Sequence, residues 1–164
     1  MNKNLSVNSI INSLKKDETL FEETAIAIFQ YQYQQNEVYR KYCDLIGRNK
    51  VTSFDDIPFL PIEFFKNLSV KSYTEKEAIT FLSSGTTGMT QSKHFVKSIS
   101  DYECAYQNAW LHFFEDFENY HFLALLPAYA ERAGSSLIYM AQGMMELSHQ
   151  KHKNFFLTQY DALL

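Results

Sequence analysis

Clustered cations, long apolar runs, metal-spaced cysteines and glycine are all scarce in this chain. Its 164 residues carry 15 Lys and Arg against 19 Asp and Glu, a formal charge of -4, and no run of cations makes the basic stripe that a phosphate backbone needs. Nucleic acid is therefore not an expected partner. The longest apolar run, Phe122 to Ala130, is interrupted by Pro127 and is far shorter than the roughly 20 residues of a membrane span. The amino-terminal MNKNLSVNSIINSLKK lacks the apolar segment of a signal peptide, so the expectation is a soluble, cytoplasmic protein with no membrane partner. Cys43 and Cys104 sit far apart in helix-like sequence without C-x-x-C or metal spacing; reduced, partly buried thiols and no metal site are expected. His149 and His152 lack a third ligand and read as a solvated helix end.

What is abundant is apolar and aromatic. The chain is 46% hydrophobic and 16% aromatic, with 14 Phe and 11 Tyr, which excludes the low-hydrophobicity signature of disorder. At this length one domain is expected, burying roughly 70% of the surface of its unfolded chain.

Apolar spacing predicts a short amphipathic helix over residues 5–15 and one long helix, or two, from Leu20 to Ile46, with Gly47 as the stop. Residues 53–66 hold two prolines three apart, Pro58 and Pro61, the second placed to open a short helix, so an extended connector ending in a helical turn is expected. Strand candidates follow at 68–71, 78–82 and 93–97. Ser100-Asp-Tyr-Glu103 has capping-box form, and the aromatic series from Tyr102 to Phe117 continues it at helical spacing as a core face. Residues 121–126 read as a fully buried strand, Pro127 to Gly134 as a turn, Ser135 to Leu147 as a helix, and Phe155 to Leu157 as another strand. Strand, loop and helix alternate through the second half, which predicts an α/β fold: amino-terminal helices followed by a mixed, partly parallel sheet flanked by helices. The organisation expected is a helical segment over 1–50, a Pro-containing connector and short helix over 51–77, and an α/β core over 78–164.

Two of the five glycines, Gly85 and Gly88, fall in one stretch, FLSSGTTGMTQSKH, spanning Phe81 to His94. Glycine accepts left-handed angles and lets the backbone approach an anion, Ser and Thr hydroxyls add donors, and Lys93 adds a charge. Set between two strand candidates, the stretch predicts a hairpin-like loop suited to phosphate. The bland alternative is a solvated turn. Neither G-x-x-x-x-G-K-[ST] nor G-x-G-x-x-G is met, which sets aside Walker-type and dinucleotide loops.

The string Ser83-Ser-Gly-Thr-Thr-Gly88 resembles the phosphate signature of the adenylate-forming enzymes, close to [ST]-S-G-T-T-G-x-P-K. Neighbouring residues narrow the resemblance to the acyl-protein synthetase (LuxE-type) family, related to the phenylacetate-CoA ligases. Ile57 to Lys66 is similar to the family's I-P-x-x-P-x-E-x-F-K stretch. The loop followed by Ser92-Lys93-His94 is similar to S-S-G-T-T-G-x-x-x-S-K-H. Leu125 to Leu137 resembles L-P-x-Y-x-E-R-x-x-S-S-L.

The resemblance implies an enzyme that activates a fatty or aryl acid with ATP and Mg2+ to an acyl adenylate, then passes the acyl group to a protein thiol, CoA or another acceptor. It implies ATP-phosphate contacts from Ser83, Ser84, Gly85, Thr86, Thr87, Gly88, Ser92 and Lys93, and a site lined by Tyr129, Glu131, Arg132, Ser135 and Ser136. No catalytic residue or magnesium ligand is assigned. Each lining residue has a structural alternative: Glu131 and Arg132 as a surface ion pair, Ser135 and Ser136 as helix caps, and Tyr129 as packing. His94, which adjoins the loop, reads as an exposed strand histidine. The consensus Pro and Lys fall on Thr90 and Gln91. The family's adenine-binding stretch, ribose aspartate, carboxy-terminal lid and acyl-accepting cysteine have no match here, so the expectation is the amino-terminal portion of an acyl-activating enzyme. The alternative is a noncatalytic α/β half-domain that pairs with another chain or is a truncated fragment, with a second copy of itself as a further candidate partner.

Overall fold

Apolar residues recur every three or four positions from Phe21 to Leu45, and the chain there forms two helices joined by a single residue. The computed structural model describes residues 7–84, 90–127, 134–150 and 154–156. Helix α1 (Val7–Lys16) and a 3-10 turn at Glu18–Leu20 lead into α2 (Phe21–Gln35) and α3 (Glu37–Leu45). Asn36, extended at φ -102°, makes the break. Its N–H still donates to Gln32 O at 2.8 Å, ending α2, while its side-chain oxygen accepts from the Tyr39 N–H at 3.1 Å, capping α3.

This joint brings Phe29 of α2 onto Tyr39 and Cys43 of α3, with the Phe29 and Tyr39 rings edge-on at 6.0 Å. Val51, Ile57 and Leu60 close over them. Gly47, at φ +68°, supplies the left-handed stop that the sequence signalled. The proline connector is pinned from below: the buried Tyr39 hydroxyl donates to Pro58 O at 2.6 Å. Pro61 O accepts from the Phe64 N–H at 3.1 Å, and the one-turn helix α4 (Phe64–Asn67) follows, with Phe64 edge-on to Tyr42.

Strands β1 (Ile79–Leu82) and β2 (Lys93–Val96) pair antiparallel, with Ile79 opposite Val96 and Phe81 opposite His94. Phe81, 2% exposed, is the face the pair buries. Residues 68–71 are not the expected strand; Val70 N–H folds back to Leu68 O at 3.1 Å instead of joining a ladder. Helix α5 (Ile99–Phe113) starts earlier than expected, because Ser98 rather than Ser100 caps it, accepting from the Asp101 N–H at 3.3 Å. The aromatic series is only partly core: Tyr106 is buried, and Phe117 is buried in the 3-10 turn Phe117–Asn119. Phe113 and Phe114 remain 77% and 51% exposed where the helix ends.

The run 121–126 is not a fully buried strand, since Leu123 and Leu125 are 57% and 60% exposed. Among the described residues it makes one parallel bridge, Ala124 with Phe155, held by Ala124 N–H to Asn154 O and Phe156 N–H to Ala124 O. Leu157, the end of the second expected strand, lies outside the described residues. Helix α6 (Ser136–Leu147) matches its expected span. It ends in left-handed His149, exposed and 3.2 Å from Glu118 through Nε2; His152 lies outside the described residues. Both cysteines are helical, Cys43 buried and Cys104 partly so. The described residues thus form an α/β fold of helices around a small antiparallel pair, and none of their helices is long and apolar enough to cross a membrane.

Candidate functional site

The loop that the sequence singles out springs from the β1–β2 hairpin, and its base is tightly knit. Ser83 N–H donates to Ser92 O at 3.0 Å, Ser92 N–H to Ser83 Oγ at 2.9 Å, and Gln91 Nε2 to Ser83 O at 2.9 Å. The Ser83 hydroxyl is thus committed as an acceptor inside the hairpin. Ser84 and Lys93 are exposed at the two sides of the mouth. Gly85, Thr86, Thr87 and Gly88 lie outside the described residues, as do Tyr129, Glu131 and Arg132.

A further tie aims the hairpin. The Leu82 N–H donates to Gly134 O at 2.8 Å, and Gly134 presents that carbonyl from a left-handed φ of +88°. A side chain at Gly134 would be strained by that φ. The next residue, Ser135, caps α6 by accepting from the Ile138 N–H at 3.4 Å, which bears out its capping role. Ser136 O accepts from the Tyr102 hydroxyl at 3.2 Å, fixing the first turn of α6 to α5.

These contacts gather distant stretches around one cavity of 290 Å³ at the loop base, lined by Ile62 and Phe65, by Ser83, Ser92 and Lys93, and by Ser136. Each of the three stretches singled out in the sequence contributes to the wall. The α6 amino terminus brings partial positive charge to the same rim, and Lys93 brings a full one. Ser83, Ser92, Lys93 and Ser136 are therefore neighbours, whereas Ser135 is spent on the cap.

Residues that sequence reasoning left aside also shape the site. Phe81 and His94 face each other across the hairpin and pack with Tyr102, the His94 ring 6.3 Å from Phe81 and 6.5 Å from Tyr102. One side of the His94 imidazole stays open to solvent while this packing desolvates the rest, which pushes its pKa below 6.5. Burial likewise pushes the Tyr102 hydroxyl upward, outweighing the opposing effect of the Ser136 side chain. Both rings are neutral near pH 7.

A family model described as acyl-protein synthetase, LuxE, matches residues 3–100. The chain belongs to that family. The match takes in the amino-terminal helices, the proline connector and the whole loop as far as the start of α5. The chain is also 32% identical over 79 residues to the long-chain-fatty-acid–luciferin-component ligase of Vibrio harveyi, an alignment covering 47% of this chain and 21% of that relative. The aligned part spans about a fifth of the length of the curated relative it matches. No solved structure matches the chain.

Proposed function

We propose that this acyl-protein synthetase family member takes part in ATP-dependent activation of a carboxylic acid, its loop 83–93 holding the nucleotide's phosphates. The observation that carries the reading is the 290 Å³ cavity, where loop, connector and α6 stretches meet at a rim bearing Lys93, Ser92 and the helix terminus. The family relationship supplies the chemistry: the similar Vibrio harveyi protein is a long-chain fatty-acid ligase by name, so a long-chain acid is the proposed substrate class.

In this reading Ser84, Gly85, Thr86, Thr87 and Gly88 donate to the β and γ phosphates. Lys93 neutralises charge as carboxylate oxygen attacks the α phosphorus, pyrophosphate leaves and an acyl adenylate forms. Mg2+ accompanies the nucleotide, and the acyl group passes to a protein thiol, CoA or another acceptor. Tyr129, Glu131, Arg132 and Ser136 line the acid side, and residues 78–164 form an α/β core whose mixed, partly parallel sheet resembles part of the adenylate-forming large domain. The work is cytoplasmic.

Calorimetric titration of the 164-residue chain with MgATP tests this, alongside a Gly85→Val, Thr86→Ala double variant whose fold is checked by circular dichroism. Binding by the native chain and its loss in the folded variant are expected. Equal binding by both would overturn the assignment to this loop, and absence of binding by the native chain would overturn the nucleotide reading of this chain.

A further inference from the structure

Three consecutive residues, Gly134, Ser135 and Ser136, each commit a polar group to a different element. Gly134 O accepts from the Leu82 N–H of β1, the Ser135 hydroxyl caps α6, and Ser136 O accepts from the Tyr102 hydroxyl of α5. The first and last of these bonds lie two residues apart on one stretch of backbone, so a shift at Ser136 is carried to Leu82.

The seam between α5 and α6 is fastened twice, and reciprocally. Tyr102 of α5 donates to Ser136 O of α6 at 3.2 Å, and Tyr139 of α6 donates back to the Glu103 carboxylate of α5 at 2.7 Å. The two phenol rings meet edge-on at 6.0 Å. Phe81, 2% exposed, packs against both, its ring centre 4.9 Å from Tyr102 and 5.6 Å from Tyr139. Phe81 immediately precedes Leu82, so the seam holds β1 by a ring at one residue and by a main-chain bond at the next. Packing alone fixes no direction, whereas a hydrogen bond does.

Both holds act on the wall of the 290 Å³ cavity at the loop base, which Phe81, Leu82, Ser83, Lys93 and Ser136 help to line. Lys93 belongs to the hairpin, where it stands opposite Leu82, and Ser136 belongs to α6. Their separation is set by what joins hairpin to helix.

We propose that Tyr102 is a positioning residue: by holding Ser136, its hydroxyl fixes the direction in which β1 delivers the loop 83–93 to the amino terminus of α6. It acts through Ser136, Gly134 and Leu82 rather than by touching a ligand. The consequence for phosphate rests on the nucleotide reading above; the coupling of Tyr102 to Leu82 does not.

The test is amide hydrogen exchange followed by NMR on the full chain and its Tyr102→Phe variant, with MgATP titrated calorimetrically into both. The substitution keeps the ring and removes the oxygen. Exchange at the Leu82 N–H is expected to quicken roughly twofold to tenfold, the effect of losing one hydrogen bond, while the Tyr39 N–H, bonded to Asn36 in the separate α2–α3 core, keeps its rate. The Kd for MgATP is expected to rise by a similar factor. Quickening confined to the Tyr139 N–H, which donates to Ser135 O within α6, would mean that Tyr102 only staples two helices and would overturn the proposal. Equal quickening at Leu82 and Tyr39 would mark a loss of overall stability and would overturn it too. A faster Leu82 with an unchanged Kd overturns the bearing on the phosphate site. A faster Leu82 in a chain whose native form has no affinity for MgATP supports the coupling and overturns the nucleotide reading alone. Tyr139→Phe, which opens the other half of the clamp, gives the same readout should Tyr102→Phe not fold.

Discussion

The hydroxyl of Tyr106 on α5 occupies the space that a Cβ on Gly143 of α6 would need, and its ring carbon Cζ stands 3.2 Å from that position. Gly143 is mid-helix, where alanine is ordinarily the better helix former by about 1 kcal/mol. Here the close approach of the two helices reverses the preference, since Tyr106 is buried and has little room to retreat. Gly143→Ala should therefore destabilise the protein by about 1–3 kcal/mol, read as a lowered urea midpoint. In a Tyr106→Phe background the cost should shrink, giving a measurable coupling between the sites. An unchanged cost in that background would show that the oxygen is not the obstacle.

Tyr39 joins the helical core to the connector through one bond. Removing its oxygen in Tyr39→Phe leaves the Pro58 carbonyl without that partner in a buried setting, at a cost of roughly 1–3 kcal/mol. The measurement is equilibrium urea unfolding at constant m-value. An unaltered midpoint would mean that water replaces the phenol.

Ser83→Ala removes the acceptor that holds the Ser92 N–H at the loop base. Faster hydrogen exchange at Ser92 is expected, with a stability loss of only about 0.5–1.5 kcal/mol, because the site is exposed to solvent. MgATP affinity should fall with it if the knit base preorganises the loop. Unchanged exchange at Ser92 would show that the hairpin does not depend on this hydroxyl.

His94 provides the pH dependence. Its folded pKa lies below the 6.5 of an exposed imidazole because packing against Phe81 and Tyr102 desolvates the ring. Below pH 6.5 the unfolded chain therefore binds more protons than the folded one, and stability falls as pH drops from 6.5 through the folded pKa; above 6.5 the term is flat. Carboxylates with lowered values, among them Asp56 and Glu75, act further down, below their ordinary 3.8 and 4.5. His94→Gln should flatten the unfolding free energy just below pH 6.5 without touching the acid limb, and NMR titration of the native imidazole should give a midpoint under 6.5. A midpoint at or above that value would contradict the packing account.

Local signals were the legible ones. Gly47 as a stop, Ser135 as a cap and the hairpin around the loop all follow from short-range chemistry, and α2, α3, α5 and α6 follow from apolar spacing. The cap of α5 was displaced by two residues because Ser98 and Ser100 offer the same chemistry; the two hydroxyls pair at 2.8 Å, and only backbone geometry selects Ser98. The run 121–126 was misread because an uninterrupted apolar string implies burial on both faces, yet Leu123 and Leu125 remain largely exposed among the described residues. Loop-base residues were legible through their motif. The surroundings of His94 were not, because they are made by packing against Phe81 and Tyr102, and no spacing rule carries that information.

The bond from Leu82 to Gly134 also ties an early stretch of the chain to a late one. During synthesis the chain emerges from its amino end, and the Phe29–Tyr39–Cys43 cluster can close over a short stretch of sequence long before β1 exists. The hairpin needs only residues up to Val96, but its orientation waits for a carbonyl far downstream, presented by a glycine in the left-handed region. The hairpin's pairing and its aim thus draw on parts of the chain far apart. A substitution at Gly134 would strain the left-handed backbone that presents this carbonyl, and the effect would be felt at a distance, in the direction the hairpin points.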